Sequence, residues 1–139
     1  MMKRIRLEAV YPHDIEDVWE AVATSEGLAA WLMPNDFTPV KGREFSFKME
    51  SATGFDGTIA CRVLECSPPR HLSFSWCAGD AASVVTITLT PLGKATTLTL
   101  EHEGFENESG VAMYEILKGG WTKKLLGGIL AGYLAERAS

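Results

Sequence analysis

The sequence predicts an α+β fold in which a curved antiparallel sheet wraps around one long C-terminal helix. Two observations carry that prediction. From Val111 to Arg137 the chain has no proline, and Tyr114, Leu117, Trp121, Leu125, Gly128 and Gly132 fall on one stripe of a 3.6-residue wheel, with Val111 and Ile129 at its edge. From Gly42 to His102 the period is two, with turn residues between short apolar rows. Several one-faced strands and one helix with a matching stripe are most economically buried against each other.

The elements follow in order. Ile5, Leu7, Ala9 and Tyr11 alternate along a first strand that Pro12 ends. Asp14 is placed to cap a helix bearing Ile15, Val18, Trp19 and Val22. Ser25 is placed to cap a second short helix with Leu28, Trp31 and Leu32 on one side, closed by Met33-Pro34-Asn35-Asp36. Phe45, Phe47 and Met49 then share a face, followed by a turn from Thr53 to Gly57. Ile59, Cys61 and Val63 make the next inward row, and Ser67-Pro68-Pro69 stops it. Leu72, Phe74 and Trp76 come next, with a loop from Cys77 to Ala82. Val85, Ile87 and Leu89 precede a turn at Pro91-Leu92-Gly93, and Leu98, Leu100 and His102 complete the meander. As a single helix the last segment is about 40 Å long at ~1.5 Å per residue. Glycines 119, 120, 127, 128 and 132 interrupt it, each at about 1 kcal/mol relative to alanine. At Gly128 and Gly132 a close neighbour or a ligand is expected against the backbone.

Composition narrows the function. The 139 residues form one domain, 46% hydrophobic, with a net charge of −5. That balance argues against a nucleic-acid partner, which selects a basic face. No apolar run reaches the length of a membrane span, and no signal-peptide core follows Lys3 and Arg4, so a cytoplasmic location is expected. Cys61, Cys66 and Cys77 fit neither a disulfide framework nor a zinc site and read as reduced thiols. No nucleophile elbow, phosphate loop, dinucleotide fingerprint or metal motif is present, so no cofactor, metal or catalytic residue is assigned.

Several stretches resemble a known family. They are Val18-Trp19-Glu20-Ala21-Val22 with Leu28 and Trp31, Phe55-Asp56-Gly57-Thr58, and the run from Val63 through Pro68-Pro69-Arg70 to Trp76. Thr86-Ile87-Thr88-Leu89-Thr90-Pro91, Leu98 to Phe105 and Gly120-Trp121 complete the ordered set. Together they resemble bacterial proteins related to the C-terminal domain of the activator of heat-shock protein 90 ATPase, within the START-like or SRPBCC superfamily. The resemblance implies the helix-grip (START/Bet v-like) fold and a cavity between sheet and helix for a small hydrophobic or amphipathic molecule. Fold alone does not settle function.

The expected cavity residues are Trp31, Phe47, Trp76, His102, Leu117, Trp121, Leu125 and Gly128. Each large side chain among them also reads as plain core. His102, at the end of an inward row beside Glu101 and Glu103, could orient a ligand or move a proton; a rim histidine bonded to a backbone carbonyl is the simpler expectation. Leu126, Leu130 and Leu134 lie off the main stripe and would face either the first two helices or a second copy of the chain in a homodimer. The leading functional reading is a non-enzymatic binding domain. Its rivals are a cyclase or hydrolase using His102 as acid or base and a chaperone-linked interaction module.

Overall fold

A computed structural model of the chain describes residues 3–48, 57–78, 81–105 and 108–138. In order these form strand β1 (Lys3–Tyr11), helices α1 (Ile15–Val22) and α2 (Ser25–Trp31), strands β2 (Glu44–Lys48), β3 (Thr58–Ser67), β4 (His71–Ala78), β5 (Ala81–Leu92) and β6 (Ala95–Phe105), and helices α3 (Glu108–Leu125) and α4 (Ile129–Ala138). The strands make one six-stranded antiparallel sheet in the order β1-β6-β5-β4-β3-β2. The meander from β2 to β6 is therefore extended at one edge by β1, which the chain lays down first.

Alternation does what the sequence predicts. Phe45, Phe47, Ile59, Cys61, Val63, Leu72, Phe74, Trp76, Val85, Ile87, Leu89, Leu98 and Leu100 are all buried on the concave face. A bulge between Val63 and Glu65 shifts the β3–β4 register and adds bend to the sheet. Aromatic rings run across the concave face in tilted and edge-on pairs. Phe37–Phe45, Phe45–Phe47, Phe47–Trp76 and Trp76–Trp121 have centroids 5.0, 5.4, 5.4 and 5.7 Å apart. Each such pair adds about 0.5–1.5 kcal/mol beyond the area it buries. The sheet–helix interface is consequently packed with side chains over most of its width.

The caps and turns differ in detail from expectation. Asp14 precedes α1 without a side-chain capping bond. Thr24, not Ser25, caps α2: its Oγ1 accepts from the Gly27 amide at 3.0 Å, while the Ser25 hydroxyl donates to the Asn35 carbonyl. Gly27 lets α2 press onto α1, since a Cβ there would sit 2.5 Å from the Glu20 carbonyl oxygen. The β4–β5 ladder continues to Ala78↔Ala81, so the loop expected from Cys77 to Ala82 is a much tighter connection. Met49 and the turn residues Thr53 to Asp56 lie outside the described residues.

The main correction concerns the C-terminal segment. It is not one helix but two, broken after Leu125. The Leu126 and Gly127 amides both reach back to the Thr122 carbonyl at 2.8 and 3.0 Å, and Gly128 adopts φ +98°. This is how a helix ends when glycine is available to take a positive φ. At Gly127 a Cβ would meet the Lys123 carbonyl oxygen at 2.4 Å. Nothing lies within 4 Å of a Cβ at Gly128 or Gly132, so the close neighbour expected there is not found. The break swings α4 onto α1 and α2, where Leu130 and Leu134 are 0% and 2% exposed. Of the three leucines proposed for a homodimer face, two are thus covered by the chain itself, and Leu126, at 53% exposure, is left outside.

The glycines make opposite predictions. Gly128→Ala forces a side chain into a positive φ and is expected to lower unfolding stability by about 1–3 kcal/mol. Gly132→Ala, inside α4 with open space around it, is expected to raise it by about 0.5–1 kcal/mol. Urea unfolding of the two variants checks both signs.

Candidate functional site

Beside the packed interface, a cleft of about 270 Å³ opens where the residues after α2 face α3. Its lining is Leu32 and Met33 from that turn, Trp76 from β4, and Leu117, Gly120, Trp121 and Lys124 from α3. The spacing 117, 120, 121, 124 is one face of a helix. Leu32 and Met33 reach the cleft because α2 ends at Trp31: both the Leu32 and Met33 amides bond the Leu28 carbonyl, which turns the chain across the mouth.

Of the expected cavity residues, Trp76, Leu117 and Trp121 are brought together in this lining. The others are near but not in it. Trp31 points into the core, where its Nε1–H donates to the Ala21 carbonyl at 2.7 Å and its ring packs 6.3 Å from Trp121. Phe47 is fully buried behind Trp76. Leu125 is core, and its carbonyl accepts from the Tyr11 hydroxyl at 2.8 Å. Gly128 sits exposed at the helix break. Four lining residues are not singled out by the sequence. Leu32 and Met33 sit one and two places beyond Trp31, in the turn that ends α2. Gly120 is conspicuous only as a helix-breaker. Lys124 lies three residues after Trp121 and four after Gly120, a spacing that places it on the apolar stripe despite its charge.

His102 departs most from expectation. It is not at the rim but fully buried, and its partners are side chains. The indole Nε1–H of Trp121 donates to Nδ1 at 3.0 Å, and Nε2 lies 2.7 Å from the Ser83 hydroxyl. The Ser83 hydroxyl is in turn 3.0 Å from the Trp76 carbonyl, which can only accept. Indole nitrogen can only donate, so Nδ1 must be the bare nitrogen and Nε2 must carry the hydrogen. The chain of donors therefore runs one way: Trp121 to His102 to Ser83 to the Trp76 carbonyl. Burial among the Trp76 and Trp121 rings, with centroids 5.3 and 6.2 Å away, pushes the imidazole pKa down to about 3.

This polarity bears on the acid–base reading. A serine is activated when its O–H points at the bare nitrogen of a histidine. Here the imidazole N–H points at the serine instead, and the serine hydrogen is engaged by a carbonyl. The Ser83–His102 pair has the distance of a catalytic dyad and the opposite proton arrangement. His102 is also absent from the cleft lining, with the two tryptophans between.

Other ionisable groups are peripheral. Arg62 pairs with Glu44 on the outer face, and Arg4 pairs with Glu101 at 3.4 Å; both pairs are solvent-accessible and worth at most about 1 kcal/mol. Burial raises the Cys61 thiol well above its usual range and also raises Cys66, which favours the protonated thiol at both. Among the described residues no cluster of His, Cys, Asp and Glu could hold a metal ion, and no helix is long and apolar enough to cross a membrane. One buried polar atom lacks a partner among the described residues, the Nε1–H of Trp76.

Comparison with known proteins agrees with this architecture. A family model described as Activator of Hsp90 ATPase homolog 1-like protein matches residues 12–135. A Mesorhizobium loti protein of known structure is 29% identical over 99% of both chains, with a TM-score of 0.84. A Bacillus halodurans protein is 30% identical, covering 88% of this chain and 92% of its own, with a TM-score of 0.73. A protein of the dynemicin biosynthetic locus is 28% identical over 95% of this chain and 47% of its own longer chain, with a TM-score of 0.76. No curated protein matches.

The buried imidazole predicts a pH dependence. Between about 6.5 and about 3 the unfolded chain binds a proton that the folded chain refuses, so His102 makes stability fall as the pH drops through that window. The slope is at most about 1.4 kcal/mol per pH unit. Comparing urea unfolding at pH 7 and pH 4.5, wild type should lose about 2–3 kcal/mol more than His102→Ala, after allowance for the variant's lower starting stability. Nitrogen-15 spectra should show an Nε2–H imidazole that remains neutral at pH 5.

Proposed function

The chain belongs to the Activator of Hsp90 ATPase homolog 1-like family, a fold of ligand-binding type, and from that premise we propose that it binds a small hydrophobic or amphipathic molecule in the cleft between α3 and the turn after α2. The observation that carries the reading is the cleft itself, walled by Leu32, Met33, Trp76, Leu117 and Trp121 around a glycine. Two tryptophans and three aliphatic side chains supply apolar area, and Gly120 supplies room. At about 270 Å³ the space is small for its kind, the volume of about nine waters at about 30 Å³ each, and it suits a compact ligand rather than a long lipid. That one relative belongs to a biosynthetic locus is in keeping with a small organic ligand.

The binding role is favoured over catalysis by the His102 arrangement, which keeps the imidazole neutral, bonded on both nitrogens and behind the cleft wall. A chaperone-linked role draws support from the family description alone. A cytoplasmic location remains part of the same reading.

Gly120 gives the test. A Cβ there would have nothing within 4 Å, so Gly120→Leu projects a side chain into the cleft without disturbing the fold. It also exchanges a helix-breaking residue for a helix-former, worth up to about 1 kcal/mol. The variant should melt at or above the wild-type temperature yet lose binding. A bound probe at 100 times its Kd adds about 2.7 kcal/mol to wild-type stability, readily seen in a thermal shift against a panel of neutral and charged aromatic and aliphatic compounds. A panel in which nothing shifts wild type, or in which Gly120→Leu shifts equally, overturns the proposal.

A further inference from the structure

The cleft is apolar except at one point. Among the described residues Lys124 is the single charged one in its lining, it is half-buried, and it makes no ion pair or hydrogen bond with another of them. Among the described residues no acidic side chain lines the cleft to neutralise it. This is unusual in a chain with a net charge of −5, in which Arg4, Arg6, Lys41, Arg62 and Arg137 all pair with carboxylates. Lys124 shares a helix face with Trp121 and Gly120, three and four residues before it, and a lysine stem on such a face can cover apolar surface while its ammonium stays in water. A second donor without an acceptor lies in the same wall. The Nε1–H of Trp76, a residue 2% exposed, is closed off from water by its neighbours and has no partner among the described residues. A buried N–H of this kind is unfavourable until something accepts from it. The imidazole cannot serve, because both its nitrogens are engaged elsewhere.

An apolar body, one cation at the rim and one unsatisfied donor in the wall together describe a complementary ligand. We infer that the cleft selects a small amphipathic organic anion, an aromatic or medium-chain aliphatic carboxylate whose oxygens meet the Lys124 ammonium while its apolar part lies against Trp76, Trp121 and Leu117. This deepens the ligand-binding reading and rests on it. Charge-assisted hydrogen bonds are about twice as strong as neutral ones, but Lys124 is partly solvated, so the expected preference is moderate.

The experiment uses matched pairs of probes: 2-naphthoate against 2-naphthylmethanol, and decanoate against decanol, titrated calorimetrically into the full chain at low salt. Each carboxylate should bind about fivefold to tenfold tighter than its alcohol. Raising the salt to about 0.5 M should shrink that preference. Lys124→Gln should bring acid and alcohol within about twofold of each other by weakening the acid alone. Equal affinities in wild type, or a preference for the acid that survives Lys124→Gln, overturn the anion inference and leave the cleft as a neutral ligand site. If none of the four probes binds, the anion inference and the ligand-binding proposal fall together.

Discussion

The hydrogen-bonded run from Trp121 through His102 and Ser83 to the Trp76 carbonyl is the interaction on which the rest of this structure depends. It places three polar side chains in the middle of an apolar core and satisfies all of them. Satisfied networks specify a packing, because any other register of helix on sheet leaves buried donors unpaired. Here the specified packing is that of α3 against β4, β5 and β6. Tyr11 adds a second tie at the end of α3, from β1 to the Leu125 carbonyl. Between these two ties the rotation of α3 about its own axis is set, and with it the face that carries Leu117, Gly120, Trp121 and Lys124.

The cleft follows from that placement. The aromatic rings of β2, β4 and α3 fill the centre of the sheet–helix interface, so the available space is displaced to its edge, where α2 ends and Leu32 and Met33 cross over. The broken C-terminal segment contributes indirectly. By folding α4 back onto α1 and α2 it buries Leu130 and Leu134 and holds in place the helix pair from which that turn emerges.

The period-two rows made the sheet legible in the sequence, because each strand buries one face and alternation records that directly. Trp76, Leu117 and Trp121 were legible for the same reason: a large apolar side chain on an inward position near the middle of its element has few other places to go. Trp31 was not, since a tryptophan carries a donor, and the nearby Ala21 carbonyl drew the ring inward. The glycines pointed to irregularity without saying which kind; only the positive φ at Gly128 distinguishes a helix end from a close approach. Lys124 was hidden by its charge, which an apolar wheel discards although the lysine stem is a hydrocarbon. For His102 the inward direction could be read, but its depth and its partners come from Ser83 and Trp121, nineteen residues away on either side.

Gly120 has a consequence for how such proteins diversify. It faces the cleft on a helix whose rotation is held from two other positions, and there is room around it for a side chain. The bore of the site is therefore governed by a residue that contributes nothing to holding the fold. Successive replacements at this one position would grade the cleft from its present width to closed while every structural tie stayed intact. Selection acting there can change the width of the cleft without passing through an unfolded intermediate sequence, and the shape of this space is free to drift faster than the architecture around it.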